Sequence, residues 1–257
     1  MDAANATLKE QIVLVTGASR GIGAAIARSI AQKGGRAIVH YRSDEKRARA
    51  VLEEIDGRGW IVQADLEDRD GALRLWEAAE NAVGGGRIDA LINNAGIRLP
   101  ARLEDDLETW QNAWRRDFQV NLFAPVDLCR FAVAHFRKHG GGKIVNISSR
   151  AGQRGHVPEF MCYGASKAAL INLTKSIARD FAHEGIIAVA VAPGFVRTEM
   201  AQDYADKYGE DAVIGDIPLK QVAEPEEVAE LVTFVLQPSQ RSLNGATLDI
   251  NGGSYVR

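Results

Sequence analysis

Seven short apolar runs, six of them followed by a helix-length amphipathic segment, leave this chain very few ways to fold. The runs are "QIVLVTG", "RAIVHY", "GWIVQAD", "RIDALINNAG", "KIVNISS", "IIAVAVAPG" and "ATLDINGG". A strand covered on both faces reads as a nearly unbroken apolar run, and parallel strands can be joined only by long crossovers, usually helices. The alternation therefore predicts an α/β fold with a parallel seven-stranded sheet and helices on both faces. No linker, repeat or low-complexity tract interrupts residues 1–257, so the expectation is a single doubly wound, Rossmann-like domain. With 46% apolar residues the chain has enough material for the two cores such a sheet needs.

Local signals fill in the frame. "GIGAAIARSIAQKGG" reads as a helix ending on glycine, and "SDEKRARAVLEEIDG" as one opened by a Ser43 N-cap. "TWQNAWRRDFQVNLFAPVDLCRFAVAHFRKHGGG" reads as one long helical stretch, and "EPEEVAELVTFVLQ" as a helix with an acidic first turn. The glycine triplets at 84–86 and 140–142 sit where helices must stop and return to the sheet.

The overall chemistry narrows the class. A formal charge of −3 with interspersed signs gives no nucleic-acid footprint. Cys129 and Cys162 lack metal-ligand spacing and read as reduced thiols, so no metal is expected. No run of ~18 apolar residues is present, and the polar start "MDAANATLKEQ" has no apolar signal core. The expectation is a soluble, cytoplasmic protein with no membrane association.

The first strand runs into "VTGASRGIGAA". Gly17, Gly21 and Gly23 allow a tight turn, and the helix that begins in Ser19–Arg20–Gly21–Ile22 offers free N–H groups to a pyrophosphate. The spacing is GxxxGxG, not GxGxxG. A dinucleotide site that takes NAD places an acid at the end of the second strand. Here that end is His40–Tyr41–Arg42–Ser43, and Arg20 lies in the adjacent turn. Two guanidiniums and a hydroxyl suit a 2′-phosphate, so NADP(H) is expected over NAD(H). The alternative for Arg42 is a solvated loop residue.

Together "TGASRGIG", Asp65 in "AD", "NNAG", "VNL", "NISS", "YGASK" and "APGFVRT" occur in one order along nearly the whole chain. In this the sequence resembles the short-chain dehydrogenase/reductase family. The resemblance implies a nicotinamide cofactor and reversible hydride transfer between a carbonyl and an alcohol. It implies that Asp65 and Leu66 hold the adenine, and that Asn93, Ala95 and Gly96 line the cofactor. It places Pro193 and Gly194 behind the nicotinamide, with Val196 and Thr198 on the carboxamide. Turn formation is the other reading of Asn93 and Asn94.

The resemblance also implies a catalytic group of Asn121, Ser149, Tyr163 and Lys167. The chemistry asks for these types. A carbonyl that accepts hydride needs a proton, and a tyrosine with a pKa near ~10 is a reluctant donor. Lys167 lies one helical turn beyond Tyr163, and its charge is expected to lower that pKa and to help hold the nicotinamide ribose. Ser149, chosen over Ser148 because it stands three before Gly152, would hydrogen-bond the substrate oxygen. The interval from Ser149 to Tyr163 is one residue longer than the commonest spacing of the resemblance. Pro125, four residues after Asn121, cannot donate to its carbonyl, so a local kink is expected there. A Tyr and a Lys at this spacing, taken alone, are commonly only neighbours.

Residues 195–222 would form a substrate lid. Arg98, Arg150, His156, Met161, Phe195, Met200 and Tyr204 are candidates for lining the substrate pocket. Arg98 and Arg150 either meet a carboxylate or an acyl-carrier phosphopantetheine, or are solvated. Among relatives the sequence is similar to 3-oxoacyl-acyl-carrier-protein reductases, which implies an acyl-thioester or small-molecule carbonyl substrate. A sugar or polyol dehydrogenase and a non-catalytic NADP(H)-binding sensor or scaffold are the alternatives. The resemblance implies a homotetramer or homodimer, with Phe131, Phe136, Leu170 and Phe181 on the pairing helices.

Overall fold

The computed structural model describes residues 7–256, so the first six residues of the polar start lie outside the described residues. The strands are β1 (Ile12–Val15), β2 (Arg36–Tyr41), β3 (Gly59–Gln63), β4 (Ala90–Asn93), β5 (Gly142–Ile147), β6 (Ile186–Pro193) and β7 (Thr247–Ile250). They form one sheet in the order β3-β2-β1-β4-β5-β6-β7, with every neighbouring pair parallel. This is the predicted fold class.

The helices that cover it are α1 (Gly21–Gln32), α2 (Glu45–Glu54), α3 (Gly71–Ala82), α4 (Leu107–Phe118), α5 (Ala124–Lys138), α6 (Ala151–Arg154), α7 (Met161–Phe181), α8 (Glu199–Tyr208), α9 (Glu210–Ile214) and α10 (Pro225–Leu236). Alternate residues of each strand face opposite sides. Leu14, Ile38, Leu91 and Ile144 pack with Leu75 of α3, Leu128 and Phe136 of α5 and Ile177 of α7. Val13, Val15, Val39, Val145 and Val189 pack with Ile26 and Ile30 of α1 and Val228 and Val232 of α10. Each fully buried Leu, Ile or Phe contributes about 1.5–3 kcal/mol relative to exposure.

Two local expectations are corrected. The cap of α2 is Asp44, not Ser43: its carboxylate accepts the Arg47 N–H at 3.0 Å. The long helical stretch is two helices, α4 and α5, separated by a π-helical turn at Gln119–Phe123, where the Ala124 N–H bonds the Gln119 carbonyl. Pro125 withholds the N–H that an α-helix would offer to the residue 121 carbonyl, so the kink takes the form of a wider turn. Asn121 sits inside that turn and is completely buried.

The sheet order reverses between β1 and β4, and the carboxyl ends of these two strands open a crevice. Residues 195–222, the segment expected as a lid, are tied off at their base. Val196 bridges Ala223, the Ala223 N–H donates to the Phe195 carbonyl at 3.1 Å, and the Arg197 N–H donates to the Ala223 carbonyl at 2.9 Å. Within this segment, the Thr198 hydroxyl caps α8 by accepting the Ala201 N–H at 3.4 Å.

Candidate active site

A cleft of about 1180 Å³ opens at the carboxyl ends of the strands, between the glycine turn and the lid. The turn is held from β4. Asn94 donates from Nδ2 to the carbonyls of Thr16 at 2.9 Å and Gly17 at 3.1 Å, and the N–H groups of Asn94 and Ala95 both donate to Thr16 Oγ1 at 2.9 Å. Gly17 has a φ of +61°, and a Cβ there would stand 3.0 Å from the Ala95 Cα. At Gly23 a Cβ would stand 2.4 Å from the Gly17 carbonyl oxygen, so only glycine lets α1 approach its own entry turn. Arg20, the residue before α1, makes no side-chain cap, which leaves the first N–H groups of the helix for an anion. Ser19, Arg20, Gly21 and Ile22 line the cleft beside them.

His40 bolts the turn to the next two strands. Gly17 donates its N–H to His40 Nδ1 at 3.0 Å, which leaves Nε2 to donate to the Ala64 carbonyl at 3.1 Å. Burial pushes the His40 pKa down to about 4. An unfolded histidine takes its proton near ~6.5, so the folded state resists a proton that the unfolded state accepts. Stability from this residue is full above about pH 6.5 and is lost as pH falls toward 4, by about 3 kcal/mol. Urea unfolding at about pH 7 and about pH 4.5 should show a smaller acid loss in His40→Gln than in the wild type. Equal losses would remove His40 from the account.

At the end of the cleft beside β2 and β3, Arg42, Ser43, Asp65 and Leu66, the residues expected around the adenosine, all line it. Arg47, which sequence reasoning missed, joins them from the first turn of α2. Arg20 and Arg47 both pair with Glu199 of the lid, the second at 2.5 Å. Asp44, the acid nearest the end of β2, is turned back to cap α2 and to meet Arg47 at 3.2 Å. Glu67 is held by Arg116 at 2.5 Å, with Arg42 at 3.9 Å. Three guanidiniums and the Ser43 hydroxyl, with the nearest carboxylates engaged, fit a phosphate on the adenosine ribose.

At the other end, Tyr163 and Lys167 enter from α7 and Ser149 from just beyond β5. Ser148 spends its hydroxyl on the Lys167 carbonyl at 2.8 Å, whereas the Ser149 hydroxyl hydrogen-bonds Tyr163 and accepts the Ala151 N–H at 3.1 Å. The Lys167 ammonium donates to the Ile147 carbonyl at 2.9 Å and lies 5.8 Å from the Tyr163 ring centroid. Burial lowers the Lys167 pKa to about 8, against the pull of Asp117. The expected lowering at Tyr163 is not what the chain's own groups produce. Burial raises its pKa, and the Ser149 hydrogen bond and the Arg98 charge only pull it back.

Three of the residues expected at the cofactor or in the catalytic group stand outside the cleft lining. Asn93 is turned into the sheet, donating to Asn146 Oδ1 at 2.8 Å and Cys129 Sγ at 3.3 Å, and Asn94 takes its place at the cleft. Gly23 packs closely against the turn that precedes α1. Asn121 braces the loop after β4: Oδ1 accepts the Ile97 N–H at 2.9 Å, and Nδ2 donates to the Ile97 carbonyl at 2.8 Å and to Asp117 Oδ1 at 2.9 Å. That loop carries Ala95 and Gly96 into the cleft, opposite Pro193, Gly194, Val196 and Thr198. Of the substrate candidates, Arg98, Arg150, His156, Phe195, Met200 and Tyr204 line the cleft, and Met161 lies on the outer surface. Among the described residues no metal-holding cluster is present, and no helix is long and apolar enough to cross a membrane.

Residues 11–209 match the short chain dehydrogenase family. The 3-oxoacyl-(acyl-carrier-protein) reductase of Synechocystis is 37% identical over 97% of this chain and 98% of its own length. Protein FixR of Bradyrhizobium diazoefficiens is 36% identical over 100% of this chain and 92% of its own length. Among solved structures, a short chain dehydrogenase from Burkholderia cenocepacia in complex with NADP superposes with a TM-score of 0.88, at 35% identity, over 96% of this chain and 99% of the other. With the glycine turn, the parallel sheet and the Ser149–Tyr163–Lys167 cluster in place, these matches leave one family: the chain belongs to the short-chain dehydrogenases.

Proposed function

We propose that the protein is an NADP(H)-dependent carbonyl reductase, a single cofactor-binding domain whose residues 195–222 form the substrate lid. The observation that carries this reading is the cluster of Ser149, Tyr163 and Lys167 at the foot of a cleft whose far end is ringed by Arg20, Arg42 and Arg47. Solved relatives in complex with NADP support the cofactor. The glycine turn and the start of α1 would hold the pyrophosphate, Asp65 and Leu66 the adenine, and Lys167 the nicotinamide ribose. When bound, the reduced nicotinamide supplies a hydride to the carbonyl carbon.

The chain's own groups do the rest. Ser149 and Tyr163 hydrogen-bond the carbonyl oxygen and fix its position. As negative charge grows on that oxygen, Tyr163 gives up its phenolic proton. The Lys167 ammonium favours the phenolate left behind, and its lowered pKa suits it to pass on a replacement proton. Asn121 positions the loop that carries Gly96 past Lys167, where a Cβ on Gly96 would come within 3.3 Å of the ammonium nitrogen. Curated relatives that reduce 3-oxoacyl groups favour a 3-oxo compound or its thioester as substrate. The deciding experiment is an NADPH-oxidation screen over ketones, oxo acids, 3-oxoacyl thioesters, sugars and quinones, with Tyr163→Phe as control. Oxidation by no carbonyl compound would sink the reading.

The protein works as a homodimer or homotetramer in this reading, in the cytoplasm, where its two free, buried thiols stay reduced. An aromatic ladder supports the assembly. Trp110, Trp114, Phe118 and Phe123 follow one another at 5.2, 5.7 and 6.3 Å along α4 and the π turn. Leu107, Phe123 and Val126 are exposed on the same stretch. Phe136 and Leu170, expected on the pairing helices, are consumed by packing within the chain. Sizing chromatography should show a dimer or tetramer, and a monomer at micromolar concentration would refute it.

A further inference from the structure

The substrate end of the cleft holds more positive charge than the chain balances. Arg98 follows the β4 loop into the cleft and is half-buried. Its guanidinium carbon lies 4.9 Å from the ring centroids of both Phe160 and Tyr204, and Nη2 donates to the Met200 carbonyl at 2.9 Å. No carboxylate among the described residues stands within ion-pair distance of it. Burial lowers its pKa, opposed at longer range by Tyr163, Tyr204, Tyr208 and Asp203. Arg150 and Arg154 differ, because both are paired with Asp216 Oδ2, at 3.3 and 2.5 Å. His156, against Tyr163 at 6.0 Å between rings, has its pKa pushed down to about 4 by burial and then by Arg98, Arg150 and Arg154. It therefore stays neutral and offers no further cation. Glu159, the acid next to this group, is engaged by Lys207 at 3.0 Å.

A partly desolvated cation without a counter-charge is costly to maintain in a folded protein, and a ligand that brings the counter-charge recovers that cost. Arg98 and Tyr163 line the same cleft, joined by a run of rings in which Phe160, 4.9 Å from the guanidinium carbon, lies 5.2 Å from His156 and His156 lies 6.0 Å from Tyr163, so an anion on Arg98 shares the cleft with the proton donor. We propose that the substrate is a small oxo acid whose carboxylate is held by Arg98 while its carbonyl oxygen meets Tyr163 and Ser149. This rests on the carbonyl-reductase reading and specifies its substrate. The carbonyl carbon gains a hydride from NADPH, the oxygen gains the Tyr163 proton, and the carboxylate is unchanged, so the product is the hydroxy acid. The rings of Phe160 and Tyr204 hold the planar guanidinium in place, and its remaining N–H groups suit a bidentate carboxylate.

The test compares 2-oxo-, 3-oxo- and 4-oxopentanoate with their methyl esters and with an acetoacetyl thioester, in wild type, Arg98→Met and Arg98→Lys. The wild type should prefer at least one acid over its ester by roughly tenfold or more in kcat/KM, as a charge-assisted hydrogen bond would give. Arg98→Met should lose that preference while still reducing the ester, and Arg98→Lys should keep part of it. A merely structural role would lower acid and ester together. Isothermal titration of the preferred acid into Tyr163→Phe loaded with NADP+, a pair between which no hydride can pass, should show binding weakened about tenfold or more by adding Arg98→Met. Esters or the thioester reduced as well as every acid, with Arg98→Met leaving the ratio unchanged, would overturn the oxo-acid assignment and leave the reductase reading standing. Failure to reduce any carbonyl compound would overturn both.

Discussion

Tyr163→Phe is expected to lower kcat by between about a hundredfold and ten-thousandfold, the range that a positioned general acid contributes. The ring keeps its contacts with His156 and Lys167, so the fold and NADPH affinity should be nearly unchanged. The loss falls on the chemical step because only the hydroxyl, the group bonded to Ser149, is removed. Stopped-flow measurement of NADPH oxidation, beside fluorescence titration of the cofactor, separates the two effects. Turnover within twofold of the wild type would show that another group supplies the proton and would leave the arrangement on α7 a structural one.

The second large effect concerns the cofactor. Arg20→Ala combined with Arg42→Asp should lower the ratio of kcat/KM for NADPH over NADH by roughly a hundredfold or more, since each charged hydrogen bond to a phosphate contributes about 1.5–3 kcal/mol. Arg47 makes the double variant incomplete. It stands on the same side of the cleft and shares Glu199 with Arg20. Adding Arg47→Ala should complete the reversal, with NADH then preferred. A ratio unchanged in the triple variant would exclude these guanidiniums from phosphate recognition.

The sheet, its strand count and the helix alternation were legible because buried parallel strands impose a period that survives in one dimension. The glycine turn and the Ser149–Tyr163–Lys167 cluster were legible only in company, because a glycine turn or a Tyr–Lys pair alone is common, whereas all the motifs in one order match the short-chain dehydrogenases. What escaped depended on three-dimensional context. Asn93 and Asn94 are adjacent, and which one faces the cleft is set by where β4 ends and its pleat stops. Ser43 and Asp44 are both good caps, and only the path of the chain into α2 chose Asp44. The π turn carries a helical pattern through it, so Pro125 signalled a disturbance without giving its form. Arg47 is an ordinary arginine on an exposed helix until the lid brings Glu199 over it. The raised Tyr163 pKa arises from burial, which no local spacing encodes.

The place of β1 in the sheet has a consequence for how the molecule is made. β1 pairs with β2 on one side and with β4 on the other, and Val13 meets Ala90. During synthesis at roughly 5–20 residues per second, β1 is an unpaired edge for several seconds while the intervening chain emerges. An open edge of this kind is a template for wrong partners. The nucleotide turn shares the delay, because Thr16 and Gly17 are held in shape by Asn94, which follows β4. The N-terminal third of the protein, although it carries the glycines, has no finished phosphate cradle until the fourth strand arrives to close it.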